Sequence, residues 1–189
     1  MTQNKVSFGL SNVQIALLSD DGTKLNYETP FALPGAVELS LDPEGDSTPF
    51  YADNLLFHNM TTNNGYSGKL TIANVTDEFR LRVLGEKVDA DGNQVEFSDA
   101  QSKPFGMTFQ IEGDANATRH VLFNVTAKRP SLSSKTTEDK AEVQSNELTF
   151  TAAPDPYTKI PKMKNSNPES ETYKNWFNQM PKYQVGGKN

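Results

Sequence analysis

Two runs of strict alternation flank a short polar turn between Lys103 and Pro130, and no other stretch restricts the fold as tightly. Phe105, Met107, Phe109 and Ile111 take every second position of the first run, and Val121, Phe123, Val125 and Ala127 do the same in the second. Between them lies Glu112-Gly113-Asp114-Ala115-Asn116-Ala117-Thr118, small, polar and glycine-containing. Period two on both sides of such a turn predicts an antiparallel β-hairpin with one buried face. The opposite face would carry Thr108, Gln110, Glu112, His120, Asn124 and Thr126. It is polar, but it holds neither clustered metal ligands nor a nucleophile beside a base.

The rest of the chain supplies further strands and one helix. Val6 to Leu18 reads as a strand with Val13, Ile15 and Leu17 alternating, ended by the turn Asp20-Asp21-Gly22. Leu33 to Leu41 reads as a second strand, followed by an excursion, LDPEGDSTPF, that carries two prolines and three acids. Phe50 to His58 is apolar again, Thr61 to Gly65 interrupts it, and Ser67 to Val75 is the next strand. TDEFRLRVLG, about residues 76–84, is the one convincing helix. Thr76 can cap it, Asp77 and Glu78 sit favourably in its first turn, and Gly85 is placed to end it. So short a helix needs a sheet to pack on. Glu147 to Ala153 gives the last strand, with Leu148 and Phe150 inward, before Pro154 and Pro156 close the sheet region.

Composition removes several function classes. There are no cysteines, hence no disulfide, thiolate metal site or cysteine nucleophile. The net charge of −6, without a basic patch, opposes tight non-specific nucleic-acid binding. No run is apolar enough for a signal peptide or a membrane span. Without a secretion signal, the Asn-x-Thr triplets at Asn59, Asn74, Asn116 and Asn124 read as products of an Asn- and Thr-rich composition. Asp89-Ala90-Asp91-Gly92-Asn93 starts like a calcium loop but lacks the acidic ligand at the twelfth position and the flanking helices. His58 and His120 lie in separate strands, and neither has a nucleophile or acid assigned to it by spacing. The expectation is therefore a non-enzyme without cofactor, metal or small-molecule ligand.

From Asp155 onward the chain turns to Lys, Asn, Ser and Pro, a linker by composition. It finishes on Tyr173, Trp176 and Phe177, whose spacing of three and four marks one face of a short helix and a set of interface anchors. Two destinations stay open for them, the parent domain or a neighbouring subunit. The expected organisation is a β domain over 1–153 and a C-terminal arm over 154–189.

Read together and in order, YADN (Tyr51–Asn54), GYSGKLTIA (Gly65–Ala73), DEFRLRVLG (Asp77–Gly85), KPFGMTF (Lys103–Phe109), GDANATRHVLFNVTAKRPS (Gly113–Ser131), ELTFTAAP (Glu147–Pro154) and the closing YKNWF resemble the major tail, or tail tube, protein family of phages with long non-contractile tails. Gly106-Met107 departs from the larger strand residues expected there. The resemblance implies a mostly β fold of two packed antiparallel sheets, a sandwich or barrel flanked by one short helix, with extended loops and a C-terminal arm. It implies a structural virion protein, assembled in the host cytoplasm into stacked six-membered rings that form a hollow tube for DNA delivery. Six copies at −6 give −36 per ring, a wall along which DNA slides without sticking. The implied partners are further copies of the chain, a tape-measure protein, tail terminator and distal tail proteins, and phage DNA in transit, with no membrane.

Under this reading the functional residues are contact residues. Asp42, Glu44 and Asp46 in the first acidic loop, Glu138 and Asp139 in the hydrophilic stretch Ser131–Asn146, and Tyr173, Trp176 and Phe177 in the arm are the inter-subunit candidates. Thr108, Gln110, Glu112, Asn124 and Thr126 are the candidates for a lumen or contact face. Truncation after Pro154 is expected to leave a folded domain that assembles poorly. The alternative from another class is a monomeric β-sandwich binding module, for example one that recognises carbohydrate.

Overall fold

The computed structural model of the chain describes residues 4–131 and 145–184. It is mostly β. The strands are β1 (Ser7–Asp20), β2 (Leu25–Tyr27), β3 (Phe31–Ala32), β4 (Ala36–Glu44), β5 (Ser47–Ala52), β6 (Leu55–Thr61), β7 (Gly65–Ile72), β8 (Lys87–Val88), β9 (Gln94–Val95), β10 (Phe105–Gly113), β11 (Thr118–Ala127), β12 (Asn146–Ala153) and β13 (Lys162–Asn165). One large antiparallel sheet runs β2-β1-β10-β11-β12-β7-β4, with β3 paired to β1 and β13 paired to β11. β5–β6 and β8–β9 form separate two-stranded sheets. The large sheet curls until β4 meets β1. Among the described residues no hydrogen-bonded ladder joins those two strands, so the barrel stays open at that seam.

The concave side of the sheet holds the main core. Val13, Ile15 and Leu17 of β1 meet Phe105, Met107 and Phe109 of β10, Leu70 and Ile72 of β7, and Leu148 and Phe150 of β12. Each of these strands places its apolar residues at period two, as the sequence predicts. The helix closes one end. Its α-turn α1 (Asp77–Phe79) is capped by Thr76, whose Oγ1 accepts from Phe79 N at 3.3 Å, and it continues as a π-turn over Arg80–Leu84. The wider turn directs Phe79, Val83 and Leu84 inward together, and Gly85 ends it in the left-handed conformation at φ 80°. Phe79 meets Phe105 edge-on, ring centroids 5.8 Å apart.

The central hairpin departs from strict alternation at one point. Phe105 pairs with Val125, but Met107 pairs with Leu122, so two steps on β10 face three on β11. This β-bulge near Phe123-Asn124 changes the phase of β11. Leu122, Val125 and Ala127 lie in the main core, while Val121 and Phe123 point to the convex side. The sequence expectation that Val121 and Phe123 share the core face with Val125 is corrected accordingly. His120 moves the other way, stacking flat on Phe109 at 5.0 Å with an interplanar angle of 4°.

Three further elements lay beyond the sequence reading. Asp42, Pro43 and Glu44 belong to β4 rather than to a loop; Pro43 is tolerated because β4 is an edge strand. The segment that follows builds the β5–β6 hairpin. In the polar arm, β13 pairs antiparallel with the Arg119–Leu122 half of β11, beside the half that β12 occupies.

Candidate assembly surfaces

The first surface is the β5–β6 hairpin. Its two-residue loop Asp53-Asn54 has φ of 52° and 63°, the paired left-handed conformation of a type I′ turn that Asx residues tolerate. Ser47 Oγ donates to Asn59 Oδ1 at 2.8 Å, and Asp46 N donates to Thr62 Oγ1 at 2.9 Å at its base. Toward the tip it carries Phe50, Tyr51, Leu55, Leu56 and Phe57, and near its base Met60, all exposed, with Leu55 at 71% and Phe57 at 73% of full accessibility. Phe50 and Phe57 pack edge-on to each other at 6.4 Å. Tyr51 and Leu56 are partners across the ladder. Six large apolar side chains in solvent on so short a ribbon exceed the scattered apolar exposure of ordinary surfaces.

The second surface is the C-terminal arm, which in this chain lies on its own domain. Ser170 caps the turn α2 (Glu171–Lys174), its Oγ accepting from Tyr173 N at 3.1 Å. Trp176 is fully buried, packing with Ala16, Val121, Phe123 and Met180, and its Nε1 donates to His120 O at 3.1 Å. Tyr173 is buried and its hydroxyl donates to Ala117 O at 3.0 Å; Phe177 is half-buried. Arg119 stacks against both Tyr173 and Phe177, its guanidinium 3.9 Å and 4.7 Å from their ring centroids, and donates to the Tyr173 carbonyl and to Gln110 Oε1.

Gly106 explains the departure noted in KPFGMTF. A Cβ there would stand 2.2 Å from Met180 Cε and 2.9 Å from Tyr27 Cε1, so the missing side chain is the seat of the arm. Tyr27 itself donates to Phe123 O at 2.8 Å, and burial with the nearby Asp155 carboxylate pushes its phenol well above the ordinary value.

The arm divides the lumen-face candidates. Thr108 is fully buried and Gln110 nearly so; Gln110 Nε2 donates to Glu112 Oε1 at 2.6 Å. These three lie in the region of the sheet that the arm covers or borders. Asn124 and Thr126 lie past the bulge, on the open half of the convex face. That half carries Thr149 and Thr151 of β12, Ser67, Lys69 and Thr71 of β7, and Glu38, Ser40 and Asp42 of β4, with Lys69 paired to Glu147 at 3.3 Å. Glu44 ends the same stripe and Asp46 starts the hairpin. Glu138 and Asp139 lie outside the described residues.

Burial and the charges of Lys162 and Lys164 on the adjoining strand push the His120 imidazole down to about 4. At neutral pH it is therefore an uncharged ring stacked on Phe109.

No protein-family model matches the chain, and neither does any curated protein. Among solved structures, the fold is similar to a chain in the cryo-EM structure of the anti-feeding prophage cap (AFP tube terminating cap). The TM-score is 0.50 at 10% sequence identity, covering 88% of this chain and 96% of that one. A chain in the six-fold symmetrised anti-feeding prophage baseplate gives a TM-score of 0.43 at 13% identity, over 88% and 98% of the two chains. At such identities the likeness concerns the fold, and the first of the two carries it: this is an antiparallel β fold of the kind found in that cap.

Proposed function

We propose that the chain is a structural, non-enzymatic tail protein whose copies assemble into stacked rings forming a tube in the virion, six per ring as the sequence resemblance implies. The observation that carries this reading is the β5–β6 hairpin. Phe50, Phe57 and Leu55 in solvent cost free energy in an isolated subunit, about 25 cal/mol for each Å² of apolar area left uncovered. A ribbon with apolar side chains along both strands is covered best by insertion between two neighbouring copies.

Further support comes from the curled open sheet, whose free strand edges are removed when rings close. The fold likeness to a tube cap agrees. The open Ser/Thr face with Asn124 and Thr126 is the proposed lumen wall. With Lys69 paired to Glu147, its hydroxyls and scattered carboxylates offer DNA and a tape-measure protein little cationic foothold. Thr108, Gln110 and Glu112 serve instead beneath and beside the arm. Tail terminator and distal tail proteins are the expected partners at the tube ends.

A second reading has a specific observation behind it: the likeness is to a terminating cap and covers 96% of that chain. A cap would form rings that do not stack on themselves. Negative-stain microscopy of the full chain separates the readings. Tubes support a tube subunit, single rings a cap, and monomers at high concentration defeat both in favour of a binding module. Phe57→Asp should abolish stacking while leaving the thermal midpoint within a few degrees, because the hairpin tip supplies no core residue. Normal tubes from that variant would refute the role given to the hairpin.

A further inference from the structure

The join between β6 and β7 holds the one Asn-Gly pair of the sequence, Asn64-Gly65. A glycine after asparagine leaves its backbone nitrogen least shielded, because no side chain crowds the approach to the asparagine carboxamide. Asn63 and Asn64 are exposed, so water reaches the pair, while Gly65 is buried as the first residue of β7.

The chemistry open to such a pair is intramolecular. The Gly65 nitrogen attacks Asn64 Cγ, a new N–C bond forms, the Cγ–Nδ2 bond breaks, and the proton of the attacking nitrogen leaves with Nδ2 as ammonia. Water then opens the succinimide at one carbonyl or the other, giving aspartate or isoaspartate. In that ring the new bond occupies the place on nitrogen that the N–H held. Cyclisation therefore requires the Gly65 N–H to point at Asn64 Cγ.

In the folded chain it points elsewhere. Gly65 N donates to Asn63 Oδ1 at 3.1 Å. Turning the Asn64-Gly65 peptide to free it is opposed on both sides. Asn64 N donates to Glu44 O at 2.8 Å, and Gly65, at φ 106°, lies so close to β12 that a Cβ would stand 2.0 Å from Ala152 O. Thr62 N, donating to Asp46 O at 2.9 Å, holds the next rung outward. Reaction needs the root of the β5–β6 hairpin to open first, a local event distinct from unfolding of the sheet.

We infer that Asn64 is a site of spontaneous deamidation, held closed by the Asn63 carboxamide and the hairpin root, and that modification there changes how the hairpin is set on the sheet. Isoaspartate routes the main chain through the former side chain and adds a methylene between the Thr62–Asp46 rung and the start of β7. Either product adds a carboxylate at the residue bonded to the Glu44 carbonyl. The inference needs only the geometry of the hairpin root and stands apart from the tube reading.

The test follows the full chain at mildly alkaline pH by peptide mapping and by isoaspartate labelling with an isoaspartyl methyltransferase. The urea-unfolded chain gives the unguarded rate, and the native chain should react about tenfold more slowly or less. Asn63→Ala removes the acceptor at an exposed position outside every strand. It should raise the native rate about fivefold, the worth of one hydrogen bond to the reacting amide, and match the native sequence in urea. Asn63→Asp keeps an acceptor oxygen and should stay near the native rate, which separates the guard from simple loosening of the loop. Equal rates for native and urea-unfolded chains, an Asn63→Ala rate no higher than native, or an Asn63→Asp rate as high as that of Asn63→Ala would overturn the inference. Chains carrying isoaspartate, separated by ion exchange, should be cleaved faster within Tyr51–Phe57 by limited proteolysis; cleavage at the native rate would overturn the consequence drawn for the hairpin.

Discussion

Replacing Trp176 by Ala tests whether the arm is an appendage or part of the fold. The indole is fully buried among Ala16, Val121, Phe123 and Met180, and its N–H satisfies the His120 carbonyl. Removing a large aromatic from such a site costs about 3–5 kcal/mol, the transfer free energy plus the cavity left behind. Loss of the indole donor belongs to the same change, and an unsatisfied carbonyl favours the upper half of that range. A ceiling applies: once the cost exceeds the free energy of docking, the arm lifts away and the domain keeps the remainder. β13 argues for a high ceiling, because lifting the arm also strips the ladder from Arg119–Leu122 on β11.

The expected result is one cooperative transition, displaced downward by about 6–20 °C at the 2–4 °C per kcal/mol usual for this chain length. Far-UV circular dichroism follows the sheet, and limited proteolysis within 166–169 reports on the arm. Trp176→Phe should recover much of the loss. If Trp176→Ala melts within about 2 °C of the native chain, or if the arm is cleaved early while the sheet melts unchanged, the arm is not part of the fold and the reasoning fails. The same packing alters the expected result of truncation after Pro154. Val121, Phe123 and Tyr27 would be uncovered together, so an aggregating product is now predicted in place of a soluble domain, checked by its partition into the pellet on expression.

Two further substitutions probe the convex face. Gly106→Val should cost about 2–3 kcal/mol in urea unfolding, because Met180 and the Tyr27 ring must both move; a stability equal to native would refute the seat assigned to this glycine. His120 makes stability depend on pH. Its folded value of about 4 lies below the unfolded value of 6.5, so the unfolded chain binds the extra proton and stability falls as pH drops through that window. The loss should reach about 2 kcal/mol by pH 4 after screening of this half-buried ring is allowed for. His120→Phe, which keeps a ring on Phe109, should flatten that slope in denaturant midpoints taken between pH 4 and 7. An unchanged slope would place the proton uptake elsewhere.

How much could be read in advance follows from what each element depends on. Val13-Ile15-Leu17, Leu70-Ile72 and Leu148-Phe150 are buried because alternation alone commits one face of each strand, and Thr76, Asp77 and Gly85 mark the helix by local chemistry. The β11 bulge leaves no trace in composition, since Val121, Phe123 and Val125 look alike in a pattern that has silently changed phase. β13, Lys-Met-Lys-Asn, has a single apolar residue and is a strand only because half of β11 offers it an unpaired edge. The hairpin was missed although Asp53-Asn54 is a two-residue turn signal, because apolar residues on both sides of the ribbon hide its alternation. The contact residues divide on the same line. Tyr173 and Trp176 were recognisable as anchors, but only the facing surface, with Gly106 left empty for Met180, decides that in this chain they anchor at home.

The β11 bulge also sets a rule for how this sequence can vary. Upstream of Phe123-Asn124, odd-numbered positions look outward; downstream, even-numbered ones do. A deletion of one residue there would re-phase the strand as far back as the turn at Asp114, turning Leu122 toward the arm and Val121 toward the core, with Arg119 following it inward. Conservative exchanges of side chains along β11 are open to drift, whereas the reading frame of its faces is not. One surplus residue is what lets Phe123 lie against the chain's own tail while Val125, two positions on, faces the core.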